Sequence, residues 1–240
     1  MARDAIIGER LLLGQCVSPM QECMRKTQRK GTVVLTTEFI LVRHGETIWN
    51  AEARMQGQQD SPLTARGVAQ AKAVGQRLRH ETFDGIYSSD LKRVVDTAQP
   101  LADLVGHTIA LEPRLRERHY GIFEGLTYAD MERQHNGIYQ QYRTQRYEPD
   151  FVIPEAETIR QLVERGMAIM QELAQRHAGE RVAIFSHGGT LAAVLRTMLG
   201  VPIGGKHAFR LANGSISTVA WDDEEWQVLT LGDIAHLQGI

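Results

Sequence analysis

The sequence predicts a three-layer α/β fold, a mainly parallel, doubly wound sheet with helices on both faces. Two short apolar runs, Phe39–Val42 and Val182–Phe185, have the continuous hydrophobicity of strands buried on both sides. Segments with helical period separate the strands, an alternation that marks parallel sheets joined by crossover helices. Each run also ends in a glycine-containing loop, Arg43-His44-Gly45 and Ser186-His187-Gly188-Gly189. Sheets of this kind bind ligands beyond the carboxyl ends of their strands, so His44 and His187 belong on one edge.

The elements follow in order. Leu63–His80 reads as a helix capped by Thr64, with Val68, Ala71, Val74 and Leu78 on one stripe. Gly85–Ser88 is a short strand, and Ser89 or Asp90 is the cap of a helix running to about Val105. Thr108–Leu111 is another strand, followed by a loop over 112–125 and weaker periodicity to about Glu157. Thr158 and Gln161 have capping-box spacing, and Ile159, Leu162, Val163, Met170, Leu173 and Ala174 recur at helical intervals, so 158–177 is a helix. Gly188-Gly189 leads into the helix Thr190–Leu199. Ile216–Trp221 and Trp226–Leu231 close the fold as an antiparallel pair around the acidic turn Asp222–Glu225. With no internal repeat, residues 37–240 read as one domain.

Composition narrows the function. At 240 residues, 42% hydrophobic and net charge −2, the chain has an ordinary globular balance and no general attraction for nucleic acid. No stretch approaches the ~20 apolar residues that span a bilayer. Both cysteines, Cys16 and Cys23, precede the recognisable domain without a histidine beside them, which reads as reduced thiols in a cytoplasmic protein. Residues 1–36, with the basic run Arg25, Lys26, Arg29 and Lys30, read as a poorly ordered N-terminal extension. A basic binding arm, or a reading frame called too far upstream, are the other readings.

Chemistry concentrates in four blocks. Arg43-His44-Gly45-Glu46-Thr47 follows a strand, with Asn50 in the same loop; Ser88-Ser89-Asp90-Leu91-Lys92-Arg93 follows another. Arg114-Leu115-Arg116-Glu117-Arg118-His119-Tyr120-Gly121 is the third and Ser186-His187-Gly188-Gly189-Thr190 the fourth. Singly, each histidine or arginine has a structural explanation, and His80, His107, His177, His207 and His236 are read that way. Together, over about Thr37–Leu237, the blocks resemble the histidine phosphatase superfamily, the phosphoglycerate-mutase-like fold, in order and spacing.

The resemblance implies a covalent phosphohistidine on His44 and a proton-donor role for Glu117, with no cofactor and no metal. The residue types suit those roles. A neutral imidazole is a competent nucleophile, and covalent catalysis divides hydrolysis into two easier displacements. Arg43 and Arg93 can clamp a phosphoryl group with planar, multidentate donors. His187, if protonated, adds a donor, as do the Gly188 N–H at a helix N-terminus and the Asn50 amide. Glu117 must be protonated in the substrate complex, a state that a nearby trianion favours, and it then serves as base for the attacking water. Gln56 and Gly57 match the family's pattern as a pocket wall; Glu46 is read as structural and Asp90 as a helix cap.

What the resemblance leaves open is the acceptor. Gly189 stands where phosphoglycerate mutases typically have asparagine, and the segment between Gly125 and Glu157 is short and lacks their proline-rich run. Both point to a phosphomonoester hydrolase acting on a small phosphorylated metabolite. Glu117-Arg118-His119-Tyr120-Gly121 is mutase-like and keeps mutase-type transfer as the alternative. A non-catalytic binding module is the third reading, and a homodimer is left open. Residues 125–157 are the expected lid. Tyr128, Tyr139, Tyr142, Tyr147 and Phe151 there either pack on the sheet edge or face the pocket, together with Arg133, Arg143 and Arg146.

Overall fold

The computed structural model describes residues 26–29, 32–205 and 209–240. Residues 1–25, with Cys16, Cys23 and most of the expected extension, lie outside the described residues, as does His207. The described chain begins with an antiparallel hairpin, β1 (Lys26–Arg29) and β2 (Thr32–Leu35). Next come β3 (Thr37–Arg43), the short helix α1 (Ile48–Ala51) and α2 (Ala65–Leu78). β4 (Gly85–Ser88), α3 (Lys92–Val105) and β5 (Ile109–Leu111) follow. Between Gly125 and Glu157 stand α4 (Tyr128–Gln134) and α5 (Asn136–Gln145). The chain then forms α6 (Ile159–Arg176), β6 (Arg181–Ser186) and α7 (Gly188–Met198), and ends with β7 (Ile216–Trp221) and β8 (Trp226–Asp233).

The six-stranded sheet has the order β5-β4-β6-β3-β7-β8, parallel from β5 to β3 and antiparallel from β3 to β8. The two apolar runs recognised in the sequence are its central strands, and their period-two alternation divides the core. Phe39, Leu41, Val182 and Ile184 face α6 and α7 through Ile169, Leu173, Val194 and Leu195. Ile40, Val42, Ala183 and Phe185 face α2 and α3 through Val74, Leu78, Val94 and Leu101. Each such large side chain removed from water stabilises the fold by about 1.5–3 kcal/mol.

Local signals mostly act as the residues suggest. Thr64 caps α2 by accepting from the Gly67 N–H, and Thr158 with Gln161 forms the reciprocal box that starts α6. Two expectations are corrected. Val68 is 43% exposed, because the buried stripe of α2 runs through Gly67, Ala71, Val74 and Leu78, one residue earlier at its start. The cap of α3 is neither Ser89 nor Asp90. Its first amides, on Lys92 and Arg93, donate to the Asp60 carboxylate from another loop (2.5 and 3.4 Å). Asp90 is held by Arg116 instead (2.7 and 2.5 Å), and Ser89 faces His187.

Most aromatics between 125 and 157 pack among themselves. Phe123, Met131, Tyr139, Tyr142, Phe151 and Ile153 form a satellite core beneath α4 and α5, separate from the sheet faces.

Candidate active site

Four loops reach one edge of the sheet from fixed positions. Arg43 stands opposite Ser186 in the β3–β6 ladder, so His44 and His187 leave the sheet side by side, ring centroids 5.3 Å apart. β4 delivers Ser89 and, on the first turn of α3, Arg93. The Ser186 hydroxyl donates to the Leu115 carbonyl (2.7 Å), which ties the Glu117 segment to the same edge.

The His44 loop is seated by residues that carry no chemistry. A Cβ on Gly45 would lie 2.5 Å from the Gly67 carbonyl oxygen, and one on Gly67 would lie 2.0 Å from that of Glu46, so only glycine pairs allow this approach to α2. The Gly45 N–H donates to Thr97 Oγ1 (3.0 Å), and that hydroxyl donates to the Arg93 carbonyl (2.7 Å), joining the loop to α3. Asn213 Nδ2 donates to the His44 carbonyl and to Asn50 Oδ1, both at 3.1 Å. Asn50 Oδ1 also accepts from the Thr47 N–H, which leaves the amide nitrogen as its end for an acceptor. Glu46 accepts from Thr64 and Arg66, a structural use as expected.

Both histidines are buried and neutral. Burial, then the charges of Arg43 and Arg93, holds the His44 imidazole well below its ordinary value. His44 Nδ1 faces the Gly45 carbonyl at 2.7 Å, and a carbonyl only accepts; Nδ1 therefore carries the proton and Nε2 the lone pair. Burial, then Arg93, His44 and Arg43, lowers His187 in the same way. Arg93 Nη2 donates to His187 Nδ1 (3.1 Å), so the proton sits on Nε2 and is donated to Ser89 Oγ (2.9 Å). The charged His187 that the sequence allowed is thus a neutral imidazole with both nitrogens engaged, because two guanidinium groups and burial act together.

This has a consequence for stability. On unfolding, both imidazoles regain a value near 6.5 and take up protons that the folded state excludes, so stability rises with pH in this range. Stability is therefore expected to fall as the pH drops below about 6.5, by up to about 1.4 kcal/mol per pH unit for each histidine. Urea unfolding at pH 7.5, 6.5 and 5.5 measures it, and His187→Gln should flatten the slope. An unfolding midpoint that does not move across this interval would contradict the neutral pair.

The arginines are oriented by backbone. Arg93, 1% exposed, donates to the carbonyls of Gln59 and Gly57 (both 2.7 Å) and pairs with Asp60 at 3.0 Å. Arg43 Nη1 donates to the Leu211 carbonyl (2.5 Å). The Nε of each arginine is buried with no acceptor in the protein. A Cβ on Gly188 would lie 3.0 Å from Arg43 Nε, so glycine at the start of α7 keeps space beside that donor. Gly57, expected as pocket wall with Gln56, contributes its carbonyl to Arg93, while Gln56 Oε1 accepts from the Thr47 hydroxyl (2.9 Å).

Glu117 docks on the N-terminus of α7. Oε2 accepts from the Gly189 N–H (2.8 Å), while Oε1 accepts from the N–H groups of Thr190 (3.0 Å) and Arg118 (2.9 Å) and from the Thr190 hydroxyl (3.2 Å). A Cβ on residue 189 would stand 2.4 Å from Oε1, so any other residue there would make the Glu117 carboxylate shift from this position. Arg165, on α6, donates to the carbonyls of Arg114 (2.5 Å), Arg116 (3.0 Å) and Glu117 (3.4 Å) and pairs with Glu157 at 2.8 Å. Asp60, Thr97, Arg165 and Asn213 were not singled out from the sequence. Thr97 alone left a trace, one helical turn beyond Arg93.

A family model described as the histidine phosphatase superfamily (branch 1) matches residues 39–234, from the first apolar strand to the end of β8. The chain belongs to the histidine phosphatase superfamily. Within the superfamily it is 39% identical over 207 residues to the probable phosphoglycerate mutase GpmB of Yersinia pestis (strain Pestoides F), covering 83% of this chain and 94% of that protein. Among solved structures, YhfR of Bacillus stearothermophilus is 30% identical with a TM-score of 0.79, over 84% of this chain and all (100%) of that one. A mycobacterial glucosyl-3-phosphoglycerate phosphatase is 28% identical with a TM-score of 0.73, over 83% and 100% of the two chains. Superfamily membership agrees with the resemblance read from the four blocks and with the observed fold.

Proposed function

We propose that the protein is a metal-independent phosphomonoester hydrolase acting on a small phosphorylated metabolite, with His44 as nucleophile. The observation that carries this reading is the buried neutral imidazole whose Nε2 lone pair lies in the field of two arginines with unpartnered Nε donors. In the reaction, His44 Nε2 attacks phosphorus and the bond to the leaving oxygen breaks. Arg43, Arg93, the Gly188 N–H and Asn50 take the phosphoryl oxygens. Glu117 gives the leaving oxygen its proton; Oε2, with a single N–H donor, has the lone pair to carry it. Water then attacks the phosphohistidine, Glu117 takes the water's proton, and inorganic phosphate leaves with His44 neutral again.

Among the described residues no helix is long and apolar enough to cross a membrane; the cytoplasmic setting is proposed from the cysteines alone.

Mutase-type transfer is the second reading, favoured by the name of the 39% identical Yersinia protein. Against it stands Gly189, whose missing Cβ leaves room for the Glu117 carboxylate on α7, at a position where mutases typically have asparagine in the pattern described above. The experiment is to supply 3-phosphoglycerate with and without a bisphosphoglycerate primer, beside a panel of phosphorylated metabolites. The expected result is phosphate release that is indifferent to the primer. Primer-dependent isomerisation faster than hydrolysis would replace this reading with the mutase one.

A further inference from the structure

A guanidinium carries its five N–H groups in one rigid plane, and the protein uses all but one of those on Arg93. Nη1 donates to the Gln59 carbonyl (2.7 Å) and to Asp60 Oδ1 (3.0 Å); Nη2 donates to the Gly57 carbonyl (2.7 Å) and to His187 Nδ1 (3.1 Å). Nε, buried without an acceptor in the protein, is the donor left for an anion. Because the group is planar, its acceptors also fix the direction in which Nε points.

One of these acceptors is itself held from behind. The Gly57 carbonyl and the Gln58 N–H belong to a single trans peptide, so they point in opposite directions. The Gln58 N–H donates to Glu124 Oε1 (2.9 Å), while the carbonyl accepts from Arg93 Nη2. The peptide is thus gripped from both sides, by a carboxylate at its N–H and by a guanidinium at its oxygen. Each bond polarises the peptide in the sense that strengthens the other. The grip matters at this place, because glycine at φ +55° tolerates the peptide in either orientation, and a flipped peptide would turn an N–H toward Arg93. A Cβ on residue 57 would lie 2.0 Å from Glu124 Oε1 and displace the carboxylate. The Glu124 side chain is only 5% exposed, and His119 Nε2 stands 3.8 Å from Oε1. Oε1 also accepts from the Tyr120 N–H (2.9 Å), whereas Oε2 has no hydrogen-bond partner among the described residues. A single oxygen therefore ties the loop that holds Arg93 to the segment that carries Glu117.

We propose that Glu124 is a positioning residue, a carboxylate that orients Arg93 through the Gly57–Gln58 peptide and so aims the Nε donor at the phosphoryl group. The second half of this proposal rests on the phosphatase reading above, in which Arg93 clamps that group.

The test uses two replacements of similar size. Glutamine keeps an oxygen that can accept both N–H groups, and its NH₂ falls where Oε2 has no partner; methionine offers only a weak sulfur acceptor. With 4-nitrophenyl phosphate, Glu124→Met should lose about 10- to 100-fold in kcat/KM, as a clamp misplaced by about an ångström does, and Glu124→Gln should recover to within about threefold of the wild type. In an Arg93→Lys background the methionine substitution should cost less than about threefold, because the group it acts through is gone; a merely structural loss would persist there in full. An alkyl phosphate should lose as much as the aryl ester. Equal losses in the glutamine and methionine variants, a loss that survives Arg93→Lys, or one much larger for the alkyl ester, which would place the effect on Glu117, each overturn the proposal. Should Glu124→Met not fold, Glu124→Asp, whose carboxylate ends one methylene short of the peptide, takes its place with the same expectations. A second arm is independent of turnover: nitrogen NMR of the arginine side chains in isotope-labelled protein, with Arg93 assigned by its loss in Arg93→Lys. Arg93 should show separate Nη signals in the wild type and in Glu124→Gln, and averaged ones in Glu124→Met as rotation about Cζ–Nε is freed. Signals that are the same in the wild type and Glu124→Met would overturn the proposal. If the wild type hydrolyses neither ester, the phosphatase reading fails, while the NMR arm still decides whether Glu124 holds Arg93.

Discussion

His44→Ala is expected to lower kcat for 4-nitrophenyl phosphate by roughly 10⁴-fold or more, as removal of a covalent nucleophile does in other enzymes. The residual site keeps its cradle, because Arg93 is held by the carbonyls of Gln59 and Gly57 and Arg43 by that of Leu211, hydrogen bonds in which the His44 side chain takes no part. Binding of inorganic phosphate, measured by calorimetry, should therefore stay within about tenfold of the wild type while turnover is lost, since the arginines carry the charge-assisted bonds. The same assay run with a chelator should give an unchanged wild-type rate. A rapid acid- and base-quench experiment with labelled substrate should find an acid-labile, base-stable phosphoryl group on the wild type and none on the variant. Turnover by His44→Ala within about tenfold of the wild type would remove His44 from the reaction, because no other mechanism offered here survives its loss.

How much of this was legible in the sequence differs between residues for physical reasons. The fold follows from short-range signals. Phe39–Val42 and Val182–Phe185 are buried on both faces and so read as unbroken apolar runs, and the reciprocal cap of Thr158 and Gln161, three positions apart, marks the start of α6. His44, Arg93, Glu117 and His187 were legible only as a set. Each alone is an ordinary polar residue, and their chemistry arises where separate strands end on one edge. The supporting residues were not legible because their partners are distant in sequence. Asp60 caps a helix that begins 32 residues later, and Arg165 grips carbonyls 48 to 51 residues before it. Carbonyl acceptors leave no side-chain signature at all. Asp90 was misread for the complementary reason: it has the position of a local cap, but Arg116 offers it a charged, bidentate partner from 26 residues away. The lid split the same way. Tyr139 and Tyr142 are at once core and the wall of a cavity, two alternatives that composition had set against each other.

Glu117→Gln is expected to separate substrates by leaving group. An alkoxide must be protonated as it departs, whereas a nitrophenolate is stable without a proton. Loss of the acid should therefore cost about 10²- to 10⁴-fold in kcat/KM for an alkyl phosphate and markedly less for 4-nitrophenyl phosphate. Part of any loss will be structural, and the contacts say how much. The carboxylate accepts from Gly189, Thr190 and Arg118 with its two oxygens; glutamine has one oxygen and an amide nitrogen that only donates. Whichever way it turns, the NH₂ faces an amide N–H, most mildly at Gly189, where a single bond is lost. That mismatch costs about 1–3 kcal/mol of stability, visible as a lowered urea midpoint, and falls equally on every substrate. Comparing alkyl with aryl esters on the same variant cancels this common term and leaves the proton. Equal losses for the two substrate types would reduce Glu117 to a strut between the 114–118 segment and α7. A loss in kcat/KM confined to alkyl esters identifies it as the group that protonates the leaving oxygen, and kcat for aryl esters should then fall as well, because the second displacement has slowed. In Glu117→Gln the phosphohistidine would accumulate with aryl substrates, because the water that attacks it has lost its base.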